Sequence, residues 1–130
     1  MLDTDTASYV IKGRSPVIDD HLRTLDVGQV CISAVTRAEL RYGVRRLPGA
    51  KGLAANVEMF LNGVHTLSWD EAAVDHFADI RVVLERLGTQ IGIMDTMIAA
   101  HARALKATLV TNNVKHFQLV KGLAVENWSK

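Results

Sequence analysis

The sequence predicts an α/β domain wound around a mainly parallel sheet. Three observations carry that prediction. Five short apolar runs alternate with longer amphipathic stretches, the pattern of strand and helix units that pair in parallel. Glycine and proline are sparse and fall at the joints, at Gly28, Pro48-Gly49, Gly63, Gly88, Gly92 and Gly122. Polar residues follow several of the apolar runs, at the carboxyl ends of strands, where open parallel sheets build their sites.

Taken in order, Met1-Leu2 leads into Asp3 as a first strand. A helix is expected over 16–26, a strand at Val30-Cys31-Ile32, and helices over 35–46 and 50–62. Val64 to Leu67 reads as the next strand. In 70–87, Ala73, Phe77, Ile80, Leu84 and Leu87 recur at three- and four-residue spacing and form one apolar face. Ser68-Trp-Asp-Glu71 before it has capping-box spacing. A helix over 94–105, a strand from Thr108 to Thr111 and a last strand from Leu123 to Val125 complete the chain, with no internal repeat.

Residues 1–130 are expected to form a single domain, long enough to bury a core without disulfides or a structural metal. The composition is 48% hydrophobic and 22% charged, ordinary for a globular chain. Net charge is +1, so nucleic-acid contact has to come from a local patch rather than a global field. Cys31 is the only cysteine, which excludes an intrachain disulfide and the usual zinc clusters and fits a reducing cytoplasm. The first residues lack the basic and apolar regions of a signal peptide. No apolar run approaches the roughly 20 residues of a membrane helix.

Polar groups at three strand ends stand out, with a fourth candidate at a helix start. Asp3, with Asp5 just after it, follows the first strand, and Glu39 lies one turn into the helix after Val30-Cys31-Ile32-Ser33. Asp95 opens the helix over 94–105, and Asn112-Asn113 follow Thr108 to Thr111. Each has a local alternative. Thr36-Arg-Ala-Glu39 is itself a capping box, Asp95 is an N-cap candidate, and the remaining residues suit turns. Together they converge, because a doubly wound sheet brings adjacent strand ends within a few ångströms of one another. Carboxylates gathered there repel, which raises pKa values. A hard divalent cation such as Mg²⁺ relieves the repulsion while keeping several waters, and it orients a water and stabilises charge on a phosphodiester.

These residues sit in familiar surroundings. Met1-Leu-Asp-Thr4 resembles the opening strand of PIN domains. Ile32 to Gly43 is similar to the segment carrying their second acid, and Ile91 to His101 to the block carrying the third. Thr108 to Phe117 and Gly122 to Trp128 resemble the closing motifs of VapC toxins. The resemblance covers nearly the whole chain and implies a doubly wound sheet of about five strands with helices on both faces. It implies an endoribonuclease dependent on Mg²⁺ or Mn²⁺, the toxin of a type II toxin–antitoxin pair. Position by position, Asp3 and Asp95 match the principal metal ligands, Glu39 the second acid and Asn113 the fourth polar position. Two departures stand out. Many PIN domains carry Asp where this chain has Asn113, and VapC toxins usually carry Asn where it has Asp5.

The resemblance also implies a VapB-type antitoxin covering the acidic site, operator DNA contacted only through that antitoxin, a homodimer, and a tRNA substrate cut in the anticodon loop, initiator tRNA among the targets. For RNA the residues offer several cations. Arg37, Arg41 and Arg45 share one helix face, turned about 200° per two residues away from Glu39. Arg46, seven residues beyond Glu39, lies near its face and is preferred, with Lys115 and His116 as further phosphate candidates. His101, Trp69 and Trp128 read as structural. Val57, Phe60 and Leu61 suit the core or a dimer interface. A receiver domain is disfavoured, because no Asp lies between Glu39 and Asp70 to serve as phosphoacceptor. A catalytically inactive PIN-like module, acting with an antitoxin in operon repression, is the alternative that Asn113 keeps open.

Overall fold

Five parallel segments make the sheet, and the N-terminal one lies in its middle. The computed structural model describes residues 1–129. Strand β1 (Cys31–Ser33) pairs with β2 (His65–Leu67), and β3 (Leu109–Val110) pairs with β4 (Val125–Glu126), both in parallel. Leu2 bridges in parallel to Ile32 on one side and Val110 on the other. The order is therefore β2, β1, Leu2, β3, β4. Leu2 N donates to Cys31 O at 2.9 Å, Asp3 N to Val110 O at 3.0 Å, and Val110 N to Met1 O at 2.8 Å.

Successive residues of a strand face opposite sides, and the core divides accordingly. Met1, Cys31 and Leu109 face one apolar cluster with Ile80, Leu84, Ile98 and Phe117. Leu2, Ile32 and Val110 face a second with Ala7, Ile18, Val57, Leu61 and Trp128. Helices cover both faces: α5 (Glu71–Arg86), α6 (Ile93–Ala104) and the short α7 (Val114–Phe117) on the first, and α1 (Thr4–Lys12), α2 (Pro16–Arg23) and α4 (Lys51–Gly63) on the second. Helix α3 (Ala34–Arg46) contributes Val35 to one cluster and Leu40 to the other.

The predicted α/β architecture is the one observed, with corrections of detail. The strand expected at Val30 to Ile32 runs Cys31–Ser33, and the last shifts from 123–125 to Val125–Glu126. The helix expected over 16–26 stops at Arg23, and a 3₁₀ turn follows at Val27–Gln29. Helix α1 lies where sequence periodicity predicts no helix, although its end signals are present: Asp3 caps it and Gly13, at φ 61°, closes it in the left-handed conformation. The capping box at Ser68 does not form, because Asp70 caps α5 by accepting from Ala73 N at 3.2 Å. Val57 and Leu61 are core residues and Phe60 packs beside them. Among the described residues no helix is long and apolar enough to cross a membrane.

Candidate active site

Asp3 leaves the central segment and immediately caps α1, its Oδ1 accepting from Thr6 N at 2.8 Å. It is 4% exposed. Burial raises its pKa, opposed by hydrogen bonds from Thr111 and Thr6. Thr6 is anchored in turn, donating Oγ1 to the Val110 carbonyl at 3.2 Å. The carboxylate is thus held by Thr6 of α1 and by Thr111 just past β3.

Glu39 is not a capping residue. Helix α3 starts at Ala34, and its cap is Ser33, whose Oγ accepts from Val35 N at 3.1 Å. Glu39 is left to face α1, where Thr4 Oγ1 donates to its Oε1 at 2.6 Å and also lies 3.2 Å from Thr36 Oγ1. Asp95 is not a cap either. Gly92 occupies that position, and Asp95 is the third residue of α6, half-buried. Its pKa is raised first by burial, then by the charges of Asp3, Glu39 and Asp5, with His116 opposing. Asp3 at the cap of α1, Glu39 of α3 and Asp5 of α1 therefore all lie within electrostatic reach of Asp95 on α6.

Asn113 precedes α7 without capping it. Its backbone N–H donates to Thr111 Oγ1 at 2.9 Å, and its Nδ2 lies 2.8 Å from His116 Nδ1. The neighbouring Asn112 Oδ1 is buried with no hydrogen-bond partner. Among the described residues no three His, Cys, Asp or Glu side chains close around a point as a metal cage. The donors gathered are hard oxygens on carboxylates that repel, with an unpartnered amide oxygen at the same strand end. That set fits a hydrated hard cation, which needs few protein ligands, and not a soft one.

Comparison with known proteins gives the family. The PIN domain family matches residues 1–123. The tRNA(fMet)-specific endonuclease VapC of Shigella flexneri is 38% identical over 129 residues, 99% of this chain and 97% of that one. The chain belongs to the PIN-domain family, among its VapC-type members. Two solved structures share the fold of this PIN domain over nearly its full length. DNA-bound VapBC from Salmonella typhimurium has a TM-score of 0.92 at 35% identity, covering 98% of this chain and 96% of that chain. VapBC2 from Rickettsia felis, bound to a DNA fragment from its promoter, has a TM-score of 0.91 at 32% identity over 98% and 97%.

The cations of this PIN domain sort as their helix positions imply. Arg37 donates to Thr66 Oγ1 at 3.2 Å, and Arg41 pairs with Glu58 of α4, so both are engaged away from the acids. Arg46 lies 5.5 Å over the Tyr42 ring and lines a groove with Glu39. Lys115 is exposed on α7. Sequence reasoning missed Lys12, which also lines the groove beside Glu39. Its signal was the helix it ends, since Asp5, Ser8 and Lys12 share one face at helical spacing. His101 is structural, buried on α6 with Nδ1 2.8 Å from Ser33 Oγ. Trp69 donates Nε1 to Met97 O at 2.9 Å, and Trp128 stacks on His21 at 5.0 Å, so both pack the fold.

Proposed function

We propose that this PIN domain is the toxin of a type II toxin–antitoxin pair, a divalent-metal-dependent endoribonuclease that hydrolyses RNA phosphodiester bonds. The observation that supports it is that the charges of Asp3 and Glu39 reach Asp95, in a chain 38% identical over nearly its whole length to an enzyme named as a tRNA(fMet)-specific endonuclease. The proposed substrate is accordingly a tRNA, with initiator tRNA first among candidates. PIN-domain ribonucleases are generally dependent on a divalent metal, and Mg²⁺ is the proposed ion, with Mn²⁺ as substitute.

In this reading Asp3 and Asp95 hold the cation, Glu39 positions the attacking water, and Asn113 lines the same edge. Bound metal supplies charge stabilisation on the phosphodiester. Thr6 and Thr111 fix Asp3 in one rotamer, and Thr4 does the same for Glu39, so the acids are ordered before substrate arrives. Arg46 and Lys115 contact RNA phosphates. The partner is a VapB-type antitoxin, because the two solved relatives are VapBC complexes, and operator DNA is reached only through it. A cytoplasmic homodimer completes the proposal.

The test is incubation of total bacterial RNA with purified, antitoxin-free protein in Mg²⁺, Mn²⁺ or EDTA, with mapping of new 5′ ends. Discrete cuts that require the metal support the assignment, and intact RNA from folded protein in every buffer overturns it. The phosphate role of Lys115 has a separate measure. Each phosphate contact to a single strand contributes about 0.7 to the slope of log affinity against log salt. Lys115→Ala is expected to lower that slope by about this amount, and an unchanged slope removes Lys115 from the interface.

A further inference from the structure

We propose that the groove running from Glu39 along α3 seats one unpaired nucleotide of the RNA, next to the bond that is cut. The proposal rests on the nuclease reading above and deepens it. The groove has a volume of about 220 Å³ and lies between α1, α3 and α4. Its lining includes the apolar side chains of Ile11, Leu53 and Val57, the cations Lys12 and Arg46, and the carboxylate of Glu39. Arg46 is steadied over the face of Tyr42. A slot with apolar lining that includes Glu39 and carries two cations matches a nucleotide: the base takes the apolar side chains and the flanking phosphates take the cations.

Gly43 is the second observation. It lies one helical turn past Glu39, in the interior of α3, and lines the groove. Its backbone is not in the left-handed region, and a Cβ built there meets nothing within 4 Å. The fold itself therefore has no use for glycine at this position, where alanine would stabilise the helix by about 0.5–1 kcal/mol. The missing side chain leaves open space in the groove, one turn from Glu39. A base can enter such a slot only when it is out of a duplex, so the groove selects single-stranded loops.

The experiment plugs the groove and removes the base in turn. Wild type, Gly43→Ala and Gly43→Leu are compared on a single-stranded oligoribonucleotide that wild type cleaves, and on versions with one abasic position each. Melting curves with and without Mg²⁺ report folding and metal binding for each variant. Gly43→Leu is expected to fold, to keep the wild-type response to Mg²⁺, and to raise KM at least tenfold. One abasic position beside the cut should weaken wild type comparably and cost Gly43→Leu almost nothing further, since two removals of one contact do not add. Gly43→Ala should melt no lower than wild type and show a smaller rise in KM. Cleavage by Gly43→Leu at wild-type KM overturns the groove proposal while leaving the nuclease standing. So does equal sensitivity of both proteins to every abasic position. A wild type that cleaves no RNA overturns the nuclease reading itself.

Discussion

Asp95→Asn is expected to lower RNA cleavage about a thousandfold while the protein stays folded. The substitution keeps the shape of the side chain and removes one of the two charges proposed to hold the cation. A catalytic metal contributes several kcal/mol of transition-state stabilisation, and each 1.36 kcal/mol is a factor of ten. The folded protein should respond in the opposite direction. Asp95 has a raised pKa because burial and the charges of Asp3, Glu39 and Asp5 disfavour its ionised form. The unfolded chain ionises this group near the ordinary carboxylate value, so the stability it contributes is full at acid pH and is lost as pH rises through the raised folded value. Without metal, Asp95→Asn should melt higher than wild type at pH 7, and the gap should close on acidification. Added Mg²⁺ should reverse the order, because a ligand bound only by the native state stabilises it. Melting curves at pH 4 to 8, with and without Mg²⁺, measure all of this. Cleavage near the wild-type rate removes Asp95 from the site.

His101→Ala is expected to cost about 3 kcal/mol of stability, the scale of a large-to-small change in a closed core. The ring is 1% exposed. Its Nδ1 meets Ser33 Oγ at 2.8 Å, and that same oxygen caps α3. Truncation therefore opens a cavity and strands a buried hydroxyl. At this chain length the fall in Tm is about 10 °C. His101→Asn puts an acceptor near the position of Nδ1 and should recover part of the loss. Because Ser33 starts the helix that carries Glu39, cleavage by the alanine variant should fall even below its melting temperature. Burial lowers the pKa of His101 in the fold. The unfolded chain takes up its proton near the ordinary histidine value, so stability falls as pH drops below about 6.5. His101→Ala should lack that slope, which runs opposite to the contribution of Asp95. A variant as stable as wild type would show that the ring fills no essential space.

The sequence exposed the alternation of elements and the order of the acids, because period and position are local properties. It left open whether Glu39 and Asp95 were caps or site residues, since a capping box and a catalytic acid use the same residue types at the same spacing. The structure separates the two by moving each helix start upstream, to Ser33 and Gly92. Helix α1 was missed because a strand and a helix meet at Asp3 with no connecting loop, and Lys12 was missed with it. The outward set of Arg37 and Arg41 was legible, because helical angle alone fixes which side of α3 they occupy. The groove at Gly43 was not, because it needs α1 and α4 to form its other walls.

Placing Leu2 in the middle of the sheet also sets a timetable for synthesis. The segment pairs with Ile32 on one side and Val110 on the other, so its second neighbour does not exist until most of the chain has been translated. Parallel pairing across such separations forms late, and a ribosome adds only about 5–20 residues per second. Until β3 emerges, Asp3 lacks Thr111 beside it, and the edge that carries Asn113 is absent. A chain abandoned partway through translation thus holds its acids without the scaffold that aligns them. The elements that align the acids are therefore assembled only when the molecule is nearly complete.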